Sequence, residues 1–207
     1  MKITKYIHSC LLFEKEGFRL LFDPGKFSFA EGAVTPEMFS DISAVIIMHN
    51  HPDHLDIENL KKIFELSQAA IYTNAEVSKE LSAAGLESLL AEEGKRLIGP
   101  FSLDIINVTH EPLLDAPTPD MQAYVIDELV LHPVDSLEEK LLQYKGIPML
   151  ILPPFTIELK VAAFADAIRP REILPVHDGY ARPFFLKQRY ENYSKHFNQI
   201  LQCGGTR

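Results

Sequence analysis

Apolar positions recur in short runs over the first 23 residues: Ile3-Thr4-Lys5-Tyr6-Ile7, Leu11-Leu12-Phe13 and Phe18-Arg19-Leu20-Leu21-Phe22, with Glu14-Lys15-Glu16-Gly17 as a turn between the last two. Such runs predict a β-meander. Residues 23–40 are rich in Asp, Pro, Gly and Ser and have no period, so they read as a loop. Ala44-Val45-Ile46-Ile47-Met48 is continuously apolar, the pattern of a strand buried on both faces, and it stops at His49. Asp56 is placed to cap a helix in which Ile57, Leu60 and Phe64 recur at helical spacing, and Ala70-Ile71-Tyr72 follows as a strand, implying a βαβ unit. Asn74 is placed to cap a second helix reaching about Ala84. Glu87 to Lys95 reads as an acidic connector, followed by strands over 96–98 and 101–108. Two runs, 122–126 and 129–131, straddle Asp127-Glu128 as a hairpin. Beyond them come a short helix over 137–144, a strand over 148–152, a helix with Ile157, Val161, Phe164 and Ile168 on one face, and a strand over 172–176. A last helix carries Leu186, Tyr190, Tyr193, Phe197 and Ile200. A β-rich half followed by a half that alternates β with α implies two sheets packed face to face with helices outside. With no internal repeat and no linker-like stretch, residues 1–207 read as one domain.

Composition adds limits. At 207 residues, 46% apolar and 24% charged, the chain has the make-up of an ordinary globular domain. A chain this long buries roughly 70% of its unfolded surface and needs neither disulfide nor structural metal to hold a core, so a metal here is expected to be functional. Cys10 and Cys203, with no apolar segment after Met1-Lys2, are expected to be free thiols of a cytoplasmic protein. No apolar run approaches the roughly 20 residues that span a bilayer. A net charge of −9 disfavours nucleic acid as a partner and leaves a small-molecule substrate; whether the chain forms a homo-oligomer is open.

The chemistry concentrates in histidine. Three of the eight histidines fall between 49 and 54, in His49-Asn50-His51-Pro52-Asp53-His54-Leu55-Asp56. At a strand end His49 and His51 can share a side while Asp53 and His54 are carried round the turn towards the same cavity. Imidazoles with one carboxylate suit Zn, Mn or Fe, whereas Ca or Mg would call for an oxygen-only cage. Four ligand-type residues exceed the three that one open catalytic ion usually takes, which implies a second ion. Further candidates stand at other strand ends: His110, Asp135 and His177. Asp135 has an alternative role as the cap of the helix near Leu137.

In this order, a strand-end Asp (Asp23), the His-x-His-x-Asp-His cluster, His110, Asp135 and His177, the chain resembles the metallo-β-lactamase superfamily. His8-Ser9-Cys10, the 49–56 segment and Pro175-Val176-His177 look most like the branch containing L-ascorbate-6-phosphate lactonase and N-acyl-phosphatidylethanolamine-hydrolysing phospholipase D. The resemblance implies an α/β fold, an αββα sandwich of two mixed β-sheets flanked by helices. It also implies a dinuclear site, with His49, His51 and His110 on one ion, Asp53, His54 and His177 on the other, and Asp135 bridging. The bridging Asp of the family usually follows Gly, whereas here Val134 precedes Asp135, and Val is strained if that turn needs a positive φ.

The expected activity is hydrolysis of a small, anionic ester, lactone or phosphodiester. Two divalent ions, Zn or Mn with Fe as a further candidate, lower the pKa of a shared water and polarise the electrophile, and Asp53 orients the nucleophile. Two alternatives use the same ligands: a nuclease or nucleotide phosphodiesterase, and a di-iron redox or sensor protein, although 207 residues leave no room for a flavin domain. His8 and His132 are candidates for substrate contact or for orienting a ligand, beside the plain reading of hydrogen-bonded histidines. Tyr180 and Arg182 are candidates for meeting an anionic substrate, and Asp23 and Asp178 for orienting a ligand imidazole.

Overall fold

The computed structural model describes residues 1–112, 117–152 and 158–177. Two six-stranded sheets form from them. The first runs β1 (Lys2–Lys5), β2 (Leu11–Lys15), β3 (Phe18–Phe22), β4 (Ala44–Ile47), β5 (Ala70–Thr73) and β6 (Leu89–Leu90), with the first three antiparallel and β3 to β6 parallel. The second contains β7 (Gly94–Ile98), β8 (Phe101–Thr109), β9 (Asp120–Ile126), β10 (Val130–His132), β11 (Met149–Leu152) and β12 (Glu172–Pro175). There β7 to β10 are antiparallel and β10 to β12 parallel. Both sheets are therefore mixed, as expected.

Alternation along each strand builds the layers. Leu11, Phe13, Leu20, Phe22, Ala44 and Ile46 join the core shared with the second sheet, while Leu12, Leu21, Val45 and Ile47 point the other way. That outer face is covered by helices α2 (Ile57–Ser67) and α3 (Ala75–Ala83) through Leu60, Ile63, Val77 and Leu81. These two helices follow a shorter one, α1 (Lys26–Phe29). The second sheet is covered by α4 (Glu158–Ile168), whose Val161, Phe164, Ala165 and Ile168 enter the same core as the strands. The caps are those the sequence places: the side chain of Asp56 accepts the Asn59 N–H at 3.1 Å and that of Asn74 the Val77 N–H at 2.9 Å.

Three elements differ from expectation. The acidic connector over 87–95 contains β6 and the start of β7, both at sheet edges, where exposed Leu89 and Leu90 and charged Lys95 and Arg96 hide any alternation. The loop over 23–40 holds α1 and a 3₁₀ turn, Pro36–Phe39, too short to show a period. The short helix expected over 137–144 starts two residues later and is a 3₁₀ helix, Glu139–Tyr144. No helix among the described residues is long and apolar enough to cross a membrane. The expected last helix, with Asp178, Tyr180, Arg182 and Cys203, lies outside the described residues, as does Ile157.

Candidate metal centre

Each ligand-type side chain hangs from the C-terminal end of a strand. Asp23 follows β3, His49 follows β4, His110 follows β8, Asp135 follows β10 and His177 follows β12. Asp23 stitches two of these ends together: its N–H donates to the Ile46 carbonyl, one of its carboxylate oxygens accepts the Met48 N–H at 2.8 Å, and the other lies 2.6 Å from His54 Nδ1. The 49–54 turn closes on the His51 carbonyl, which accepts from the N–H groups of His54 and Leu55. It is then pinned from outside by the Lys26 N–H on the Pro52 carbonyl and by the Ser9 hydroxyl on the Asp53 carbonyl. Gly25 is required here, since a Cβ would stand 2.1 Å from the Asp53 carbonyl oxygen. Across the sandwich the Glu111 N–H donates to the Asp135 carbonyl, joining the end of β8 to the turn after β10.

Two groups of ligand atoms result, His49, His51, His110 with Asp135, and Asp53, His54, His177 with Asp135, each with its atoms within 4.8 Å of one another. His49, His54 and His110 present Nε2 to Asp135 Oδ2 at 3.5, 3.4 and 3.4 Å, and His177 Nδ1 lies 3.4 Å from Asp135 Oδ1. These separations are too long for strong hydrogen bonds. They match the edge of a tetrahedron whose metal–ligand bonds are about 2.0–2.1 Å, which is about 3.3–3.4 Å. Both nitrogens of His49, Nε2 of His54 and Oδ1 of Asp135 are buried without a hydrogen bond, an arrangement that costs stability in a metal-free protein and that metal ions would relieve at one nitrogen of His49, at His54 and at Asp135. The donor set thus fits two ions. The tautomers agree, because His54 Nδ1 faces Asp23 and His110 Nδ1 donates to the Glu111 carbonyl at 2.6 Å, leaving Nε2 of each for a metal.

Residues 2–177 match the family model described as Beta-lactamase superfamily domain. The chain belongs to this family. Among its relatives, protein Rv0786c of Mycobacterium tuberculosis is 29% identical over 198 residues, covering 88% of this chain and 86% of its own length. The UPF0173 metal-dependent hydrolase PH1671 of Pyrococcus horikoshii is 22% identical over 197 residues, covering 84% and 83%. Igni18, a metallo hydrolase from the archaeon Ignicoccus hospitalis, superposes with a TM-score of 0.71 at 20% identity over 99% of this chain and 96% of its own, a likeness of fold. The αββα sandwich of the β-lactamase superfamily is what the motifs implied; these likenesses do not single out the lactonase and phospholipase D branch.

Electrostatics in this superfamily member separate the histidines. Burial, helped by His54, pushes His49 well below the ordinary imidazole value, and burial with His110 lowers His51, so both are neutral and ready to ligate. His177 is pushed down to about 4 by burial. Burial also opposes charge on His54 and His110, but the carboxylates of Asp23, Asp53 and Asp135 around the first, and Asp135 with the Glu111 carbonyl at the second, outweigh it and raise both. Asp53 and Asp135 are held low against burial by the surrounding histidines. A metal needs ionised carboxylates and neutral imidazoles, so His54 and His110 give up their protons when one binds.

Of the remaining candidates, His8 is at the centre: its Nε2–H donates to Asp53 Oδ2 at 3.2 Å, its ring stacks on His177 at 4.7 Å, and its carbonyl accepts the His177 N–H. His132 is not at the mouth. It has no exposed surface, lies over Phe22 and accepts the Val134 N–H on Nδ1, so it is not placed to touch a substrate. Asp135 turns its side chain to the histidines rather than capping a helix. Gly25 and Glu80, which accepts from the Asn50 amide at 2.7 Å, were not singled out by sequence, and Ser9 entered only within the His8-Ser9-Cys10 segment, with no role of its own. Cys10 is buried and its thiol is pushed well up, which leaves it inert.

Proposed function

We propose that this β-lactamase superfamily protein is a metal-dependent hydrolase that binds two divalent ions and cleaves a small, anionic ester, lactone or phosphodiester. The observation that carries the reading is the convergence of seven ligand side chains from four strand ends at tetrahedral-edge separations, several with buried atoms that nothing else satisfies. The name of the Pyrococcus relative, a metal-dependent hydrolase, supports it. His49, His51 and His110 would hold one ion, Asp53, His54 and His177 the other, and Asp135 both. Bound there, the ions supply Lewis acidity towards a carbonyl or phosphoryl oxygen and lower the pKa of water.

The chain's own part is positioning. Asp53 is the partly exposed carboxylate of the set, and the Nε2–H of His8 holds one of its oxygens, so the other can accept a hydrogen bond from the attacking water and orient it. Asp135 is buried and serves as the shared ligand. Two dications against two carboxylates leave the centre positive, which favours an anionic electrophile even on a chain of net charge −9.

Elemental analysis of the purified protein beside His51→Ala and Asp135→Ala tests this, together with a panel of phosphodiesters and lactones. The expected result is close to two equivalents of Zn or Mn in the wild type, one lost in His51→Ala and both weakened in Asp135→Ala, with turnover following metal content. A wild type that stays metal-free after reconstitution would overturn the reading.

A further inference from the structure

We infer that His132 is a positioning residue for the metal centre: its Nδ1 takes the place of glycine chemistry in the turn that delivers Asp135. The inference rests on the metal-centre reading. Pro133 to Ser136 form a turn closed by the Ser136 N–H on the Pro133 carbonyl at 3.2 Å. Its second residue, Val134, sits at φ +51°, a conformation that a β-branched side chain almost never adopts. Backbone strain of this kind persists only where neighbours over-determine it.

Two contacts do so. The Glu111 N–H holds the Asp135 carbonyl from β8, and on the other side the Val134 N–H donates to His132 Nδ1 at 3.2 Å, a bond buried on all sides. With Nδ1 as acceptor, the ring hydrogen of a neutral His132 is on Nε2, and that atom is buried with no hydrogen-bond partner. An enclosed N–H left unpaired is costly. A leucine would fill the space beside Phe22 without that cost; what histidine adds is the acceptor at Nδ1. The ring earns its position by holding the left-handed Val134, and Asp135, one residue on, feeds both groups of ligands.

The test is titration with Zn²⁺ alone, followed by competition with a chromophoric chelator, with folding checked by circular dichroism. Four variants are compared with wild type: His132→Leu, His132→Asn, Val134→Gly and His132→Leu/Val134→Gly. Loss of the acceptor in His132→Leu is expected to weaken zinc binding by about 10- to 100-fold, the usual effect of removing an outer partner of a ligand. His132→Asn, whose Oδ1 stands where Nδ1 stood, is expected to stay within about threefold of wild type, as is Val134→Gly. In the double variant glycine adopts the turn unaided, so binding is expected to return. If His132→Leu does not fold, recovery of folding and zinc binding in the double variant carries the same conclusion. Wild-type affinity in folded His132→Leu, or a double variant as weak as His132→Leu, would overturn the inference alone. A wild type without zinc affinity would overturn it together with the metal reading.

Discussion

The Asp23–His54 pair shows how much of the centre depends on single atoms outside the ligand set. Asp23 has no exposed surface and spends one oxygen on the Met48 N–H and the other on His54 Nδ1. Asp23→Asn keeps the first bond but presents an amide N–H₂ to His54, which moves the imidazole hydrogen to Nε2, the atom meant for the metal. Metal affinity is expected to fall about 10- to 100-fold, confined to one equivalent, because the His49, His51, His110 group does not use His54. Equal loss of both equivalents in a chelator competition would mean that Asp23 acts on the whole site through the fold. At this scale the ligand types were legible in the sequence, as was Asp23 as a candidate to orient a ligand imidazole, but the remoter partners were not: nothing local links Ser9 to Asp53, 44 residues away, or Glu80 to Asn50, 30 away.

Among elements, the hairpin between β9 and β10 is the most local in its logic. The Leu129 N–H donates to the Ile126 carbonyl, and Asp127 and Glu128 between them both have positive φ, 52° and 56°, the signature of a two-residue I′ turn. Asp127 also holds the Ser102 N–H and the Lys15 ammonium, whereas Glu128 has only an exposed pairing with Lys95. Glu128→Gly is therefore expected to stabilise the protein by about 0.5–1 kcal/mol, seen as a higher urea midpoint at unchanged slope and unchanged metal content. A fall in stability would show that the Lys95 pair or unfolded-state entropy outweighs the relief. Central strands such as β4 were readable because burial on both faces leaves a continuous apolar run. Edge strand β6 and the start of β7 were not, because one paired edge and an open face allow leucine, lysine and arginine alike.

For the whole molecule, the metal-free state carries a pH signature. His132 and His177 titrate at about 3 and about 4 when folded because burial disfavours their charged forms, against roughly 6.5 in the unfolded chain. Between these values the unfolded chain binds more protons, so stability falls as pH drops below about 6, by about 2.7 kcal/mol per pH unit for the pair. His54 and His110 act in the opposite sense: raised by neighbouring carboxylates, their contribution is complete below about 6.5 and lost as pH climbs through their folded values. Chelated protein is thus expected to be most stable near pH 6 to 7, and zinc to stabilise it increasingly above that, since binding must displace those two protons. Urea midpoints from pH 4 to 9, with chelator and with zinc, measure both limbs. A flat chelated profile would mean that the histidines are solvated when the metal is gone.

The sequence by itself determined the period-2 strands, the two capped helices, the His-x-His-x-Asp-His cluster and the order of the later ligands, because each of these is written in neighbouring residues. It also flagged Val134 as a residue at odds with a positive-φ turn, and the structure shows φ +51° there. The tertiary structure alone decided which atoms meet. Asp135 lies 86 residues from His49 in the chain yet 3.5 Å from it in space, because two sheets pack with their strand ends along one edge. It likewise took His132 away from the mouth and set it under the Val134 turn, since only packing against Phe22 and the closure of the sandwich determine which way a strand-end imidazole faces.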